Sequence, residues 1–214
     1  MKKATRKDIE FIKEEFKKRY SKAVTELNYN NEFELLIAII LSAQCTDKRV
    51  NIITPALFKK YPTSKDLANA DLDDIKELIR SCSFFNNKAK NIISMAQIVE
   101  EKFGGVIPKE QKDLIKLPGV GNKTANVFLI ELEGANLMAV DTHVFRVSHR
   151  LGLSDGKNVK ETEEQLVEKL KDDLHIFHQA MVLFGRYICK AVSPQCEECF
   201  LSSVCKTKKS FKAS

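Results

Sequence analysis

Residues 113–132 read DLIKLPGVGNKTANVFLIEL. Apolar residues at helical spacing run up to Pro118 and resume after Gly121, so the stretch reads as helix, tight turn, helix. Pro118 fixes φ, and Gly119 and Gly121 permit backbone conformations closed to other residues. A turn without side chains lets backbone N–H groups approach a phosphate, and the second helix aims its first N–H groups at the same anion. Lys123 stands where that helix begins. The N-terminal end of a helix is its positive pole and disfavours an ammonium group. Either the lysine escapes to solvent or its placement is put to use.

On both sides of this stretch, apolar residues recur at helical spacing along most of the chain, and period-two alternation is scarce. The pattern predicts helices near 5–20, 32–43, 46–60, 71–82, 87–103, 110–117, 121–133, 142–151, 159–171 and 174–189. Asp71 and Asp141 are placed to cap helix starts, while Gly104–Gly105 and Gly152 are placed to end helices. The links are short and there is no low-complexity segment or internal repeat. The expected fold class is all-α.

The chain has 214 residues, 43% hydrophobic and 30% charged, with a net charge of +6. That is the composition of a globular protein large enough for one or two cores. The longest apolar run, FELLIAIILSAQ from Phe33, carries Glu34 and is too short to span a bilayer, so it reads as a buried helix. No apolar segment follows the basic start MKKATRKDIEFIKEEF, so no secretory signal is expected there and an intracellular setting is. Charge is unevenly placed. Residues 1–20 hold eight Lys or Arg against four acids, and 206–214 hold Lys206, Lys208, Lys209 and Lys212 without an acid. The rest of the chain is slightly acidic. Basic ends suit a polyanion, although solvated tails have the same composition.

Four of the six cysteines fall in CKAVSPQCEECFLSSVC, at Cys189, Cys196, Cys199 and Cys205, with spacing C-x6-C-x2-C-x5-C. In an intracellular protein such density points to a metal rather than to disulfides. Four thiolates can complete a tetrahedral zinc site or hold an iron–sulfur cluster. The single C-x2-C knuckle leans toward a cluster, and ligand chemistry alone leaves both open. Cys45 and Cys82 read as small packing residues.

LPGVGNKTANV followed by AVDTHVFRVSHRLGL at 139–153 resembles the helix-hairpin-helix DNA glycosylases. LSAQCTDKRVN at 41–51, FFNNKAKNI at 84–92 and the cysteine spacing match that family's iron–sulfur branch in the same order. The resemblance runs from about Phe16 to Cys205. It implies two α-helical domains with a DNA-binding cleft between them. One would be continuous, 23–133, with the hairpin at about 110–133; the other would join 1–22 to 134–214 and hold a [4Fe–4S] cluster on the four cysteines.

The resemblance further implies a base-excision-repair glycosylase and abasic-site lyase that removes oxidised pyrimidines from double-stranded DNA, working as a monomer with no membrane partner. Lys123 matches the nucleophile and Asp141 the catalytic aspartate. The hairpin residues Leu117, Gly119, Val120 and Gly121 match the DNA-backbone contacts. Gln44 matches a residue that fills the gap left by a flipped nucleotide, and Phe84 falls where relatives insert a wedge; an aromatic ring there can stack on bases. His143 and Arg146 are expected to support Asp141 rather than react. An ordinary lysine is neutral in only about one part in a thousand near pH 7.4, so an amine nucleophile depends mainly on desolvation or nearby positive charge. Asp141 is also a good N-cap, so both roles need one carboxylate oxygen left free. The loop 190–195 has a single basic residue, which shifts the expected phosphate contacts toward the basic termini. A lysine at 123 and a chain that stops soon after the cluster argue against an adenine- or mismatch-specific relative. A non-catalytic DNA-binding module would need no lysine–aspartate pair, and a redox sensor finds little support in Cys45 and Cys82.

Overall fold

The computed structural model describes residues 2–207; Lys208, Lys209 and Lys212 of the basic C-terminal run lie outside them. Among the described residues every regular element is a helix: α1 (Arg6–Tyr20), α2 (Glu32–Ser42), α3 (Asp47–Lys60), α4 (Ser64–Ala68), α5 (Leu72–Leu78), α6 (Phe85–Phe103), α7 (Gln111–Leu114), α8 (Asn122–Glu133), α9 (Thr142–Leu151), α10 (Val159–Leu170) and α11 (Leu174–Tyr187). None is long and apolar enough to cross a membrane.

The ends follow the chemistry of their residues. The Asp71 carboxylate accepts from the N–H groups of Asp73 and Asp74 and starts α5. Gly104, at φ 60°, ends α6, and Gly152, at φ 73°, ends α9. Two predicted spans shorten and one helix is added. The segment 71–82 is helical only to Leu78, because residues 79–84 turn and carry Cys82 inward. The first hairpin helix shrinks to Gln111–Leu114 and continues as turns in which Leu117 N–H bonds Leu114 O and Val120 N–H bonds Leu117 O, each at 3.0 Å. Helix α4 is an addition. Thr63 and Asp66 exchange hydrogen bonds as a capping box and nucleate five residues too short to show apolar periodicity.

The chain divides into two compact units, one of Glu26–Leu132 and one joining the residues up to Thr25 to those from Glu133 onward. In the first, α2 is the centre. Every residue from Phe33 to Leu41 is buried, and α3 and α6 pack on it. Glu34 is tolerated inside because its carboxylate accepts from Asn30 N–H and Asn30 Nδ2, both at 2.8 Å. Helices α4 and α5 pack on α6. In the second unit α11 lies against α9 and α1. Phe16, Phe184 and Phe200 meet edge to face at its centre, with centroids 5.2–6.3 Å apart.

Candidate active site and cysteine-cluster site

The hairpin separates two jobs between its glycines. Gly119 has φ +82°, and a Cβ there would meet Asn91 Cβ at 3.2 Å and Ile40 Cγ2 at 3.3 Å. The fold itself therefore requires that glycine. Gly121 lacks the left-handed φ, and a Cβ on it would meet nothing within 4 Å. The packing of the described residues therefore does not require a glycine there. Leu117 and Val120, both predicted to touch DNA, are 2% and 6% exposed, so their side chains face the core, and their own amides are bonded inside the turn. No hydrogen bond within the described residues uses the amides of Gly121, Asn122, Lys123 and Thr124; the first amide in α8 to be used is that of Ala125, bonded to Gly121 O at 2.9 Å. A row of free N–H groups beside an open glycine is a backbone anion site.

Lys123 lies on the first turn of α8 and is exposed. It has escaped the helix dipole into solvent, and the free protein does not bury its amine.

Asp141 caps α9. Its Oδ1 accepts from Val144 N–H at 2.7 Å, and no hydrogen bond within the described residues reaches Oδ2. The residue is half-buried, and one oxygen remains available for chemistry. Arg146, one turn on, holds α9 in place: its guanidinium donates to Cys189 O at 3.0 Å and to Gly185 O at 2.8 Å, and sits 3.1 Å from His143 Nδ1. Burial pushes the His143 imidazole below its ordinary value; a neutral ring with Nδ1 accepting from Arg146 fits that contact. His143 and Arg146 thus support the helix that Asp141 begins.

Gln44 and Phe84 share an unusual property. Both are exposed, Phe84 by 62%, and both adopt left-handed backbone, at φ 55° and 58°. For a non-glycine residue, and an aromatic one above all, this conformation costs about 1–3 kcal/mol. Phe84 is therefore not a core residue. It stands at the entrance to α6, where no side chain caps the helix.

Cys189, Cys196, Cys199 and Cys205 line one cavity together with Arg150, Phe184 and Ile188, and all four thiols are free. Among the described residues no three His, Cys, Asp or Glu side chains close around a single ion. Four thiols about one cavity are a donor set that an iron–sulfur cluster can use. Burial raises the Cys189 and Cys199 thiols, while Arg150 draws Cys189 back down; bonded iron would complete the shift to thiolate. Arg150, which no sequence motif singled out, donates to Cys189 Sγ at 3.4 Å, Lys190 O at 2.6 Å and Ala191 O at 3.2 Å. The guanidinium thus holds the first ligand loop to α9. Replacing Cys199 by serine is expected to remove the brown colour and broad visible absorption of the purified protein. A colourless, zinc-replete wild type would overturn the cluster assignment.

Part of the basic surface expected to compensate for the weakly basic 190–195 loop is already engaged. Lys206 Nζ lies 2.7 Å from Asp8 Oδ2, with both side chains under a fifth exposed, and holds that carboxyl down to about 2 with help from Thr5. Lys3 pairs with Asp155 at 2.9 Å. These lysines fasten the terminal segments rather than offer free charge.

Known proteins place this arrangement. A model of the HhH-GPD superfamily of base excision DNA repair proteins matches residues 37–172, and one of the iron–sulfur binding domain of endonuclease III matches 189–205. The chain is 44% identical to endonuclease III of Bacillus subtilis over 94% of its own length and 92% of the relative's. For the Escherichia coli protein the figures are 40%, 86% and 88%. A non-covalent endonuclease III–DNA complex and a trapped covalent endonuclease III–DNA intermediate each superpose with a TM-score of 0.91 at 43% identity, over 96% of this chain and 97% and 98% of theirs. A thermostable thymine-DNA glycosylase, at 23% identity and a TM-score of 0.84, shares the fold. With the hairpin, the capped aspartate and the four cysteines all inside these matches, the chain belongs to the HhH-GPD superfamily of base excision DNA repair proteins, in its endonuclease III branch, and carries that branch's [4Fe–4S] cluster.

Proposed function

We propose that this protein is a DNA glycosylase with abasic-site lyase activity, acting on oxidised pyrimidines in double-stranded DNA through a Schiff base on Lys123. The carrying observation is that an exposed amine stands on the same helix turn as a row of free backbone amides beside the open Gly121. The amides bind a backbone phosphate, and the amine is thereby held near a sugar.

The neutral Lys123 Nζ attacks C1′ of the flipped nucleotide. The glycosidic bond breaks and its electron pair leaves with the base, which takes up a proton. Ring opening gives a C1′=N Schiff base. Loss of a C2′ proton then expels the 3′ phosphate, and water releases the enzyme from the sugar. Asp141 Oδ2, the carboxylate oxygen free of the helix cap, steadies the positive charge that develops on the sugar. The free protein leaves the amine in solvent, so bound DNA supplies the desolvation that favours its neutral form. Gln44 and Phe84 occupy the space left by the flipped nucleotide, each pre-set in a strained backbone that projects it outward. The cluster orders the loops from 189 to 205 and does not enter the chemistry. The protein works as a monomer, inside the cell and on DNA.

A duplex carrying one oxidised pyrimidine tests the reading: free base and a nick 3′ to the lesion are expected together. Base release without a nick would remove the lyase, and neither product would remove the glycosylase. The glycine pair gives a second check. Gly121→Ala is expected to cost about 1 kcal/mol or less in stability while weakening duplex binding tenfold or more, because the methyl group intrudes only when a phosphate arrives. Gly119→Ala is expected to lose roughly 1–3 kcal/mol of stability. Equal effects on binding and stability from both changes would refute the division of labour.

A further inference from the structure

Lys88 is a buried lysine that the mechanism above does not use. Only 6% of it is exposed, and its ammonium makes three hydrogen bonds: to Leu41 O at 2.8 Å, to Ala43 O at 2.6 Å and to Cys82 Sγ at 3.3 Å. An ammonium group has three donors, so all are spent. None goes to a carboxylate. The counter-charge is the negative end of α2, whose last carbonyls have no helical partner.

The placement of these acceptors matters. Leu41 and Ala43 lead directly into Gln44, the next residue and the one at φ 55°. Cys82 lies two residues before Phe84, at φ 58°. Lys88 itself belongs to the first turn of α6, and its own N–H bonds Phe84 O at 3.1 Å. One side chain therefore ties the backbone that leads into Gln44 to the Cys82 thiol two residues before Phe84, so it joins the segments that carry two strained, outward-facing residues. Cys82 completes the junction: burial pushes its thiol up, and as a neutral S–H it donates to Leu41 O at 3.2 Å while accepting from Lys88. It is more than a packing residue.

We propose that Lys88 is a positioning residue for nucleotide flipping, its ammonium locking the Gln44 and Phe84 loops together in their left-handed conformations so that both enter the duplex as one preformed wedge. This rests on the assignment of Gln44 and Phe84 to the duplex gap. A cap that only stabilised α2 would serve equally well with any loop behind it. A wedge must be rigid before DNA arrives, because each strained residue would otherwise relax and the cost of re-forming it would be taken from binding.

The test uses the full-length, cluster-loaded protein and a duplex with 2-aminopurine beside an abasic-site analogue, whose fluorescence reports unstacking. Lys88→Met, close in length but without donors, is expected to slow the fluorescence rise at least tenfold while leaving affinity for undamaged duplex within twofold. In a Gln44→Ala, Phe84→Ala background the same change is expected to add less than twofold, because the loops it positions have lost their working side chains. A full, additive loss in that background, or normal flipping by Lys88→Met, would overturn the proposal while leaving the wedge intact. Normal flipping by Gln44→Ala, Phe84→Ala alone would instead remove the wedge itself, and the Lys88 proposal with it. Should Lys88→Met fail to fold, Lys88→Gln, which keeps two donors, takes its place in the same cycle: slowed flipping that vanishes in the double-alanine background supports the proposal, and normal or additive behaviour overturns it.

Discussion

Exchanging Lys123 for glutamine is expected to abolish covalent trapping. Incubated with abasic-site DNA and borohydride, the wild type should form a stable protein–DNA adduct, because borohydride reduces the C1′=N bond to an amine. The variant should form none. Its rate of base release should fall by roughly 10³-fold or more, the scale on which loss of a covalent nucleophile lowers turnover in other enzymes. Lys123 is exposed on the first turn of α8, so the change should alter stability by no more than about 0.5 kcal/mol. An unchanged melting temperature would then assign the loss to chemistry. Equal trapping by wild type and variant would reject Lys123 as the nucleophile, and no trapping by the wild type would reject the lyase.

Asp141→Asn is expected to separate the two roles of the aspartate. Asparagine caps a helix as well as aspartate does, so the bond to Val144 N–H and the stability of α9 should survive. The free oxygen loses its charge and its ability to take a proton. Base release should therefore fall by roughly 10²–10⁴-fold with the melting temperature unchanged. Asp141→Ala removes the cap as well and should lose about 1 kcal/mol of stability in addition. Near-normal turnover by the asparagine variant, beside a destabilised alanine variant, would reduce Asp141 to a cap.

Both substitutions fall on residues that announce themselves in one dimension. Lys123 follows a proline–glycine turn, and Asp141 precedes an apolar-periodic run. Gly104 and Gly152 end helices where their lack of a side chain predicts, and Asp71 starts one. The four cysteines are visible by spacing alone. These features are local, because a cap, a turn or a ligand loop is decided within a few residues of itself. Helix α4 escaped for the complementary reason: five residues hold too little periodicity to detect, and only the exchange between Thr63 and Asp66 marks it.

The helical class, most helix boundaries, the family and the four cluster cysteines can be read along the chain. What each matched residue presents depends on packing between distant segments. Leu117 and Val120 belong to the hairpin motif, yet their side chains turn into the core and their amides close the turn, which leaves the free amides to Gly121 and the first residues of α8. Gly119 and Gly121 look alike in the string and differ in space: Asn91 and Ile40 crowd one and nothing crowds the other. Lys88 left one trace, a lysine on the buried stripe formed with Ile92, Met95, Ala96 and Val99. That trace shows a buried charge without its partners. The carbonyls that accept from it come from a helix more than forty residues earlier, and a contact across that separation is set by packing, which no local pattern records.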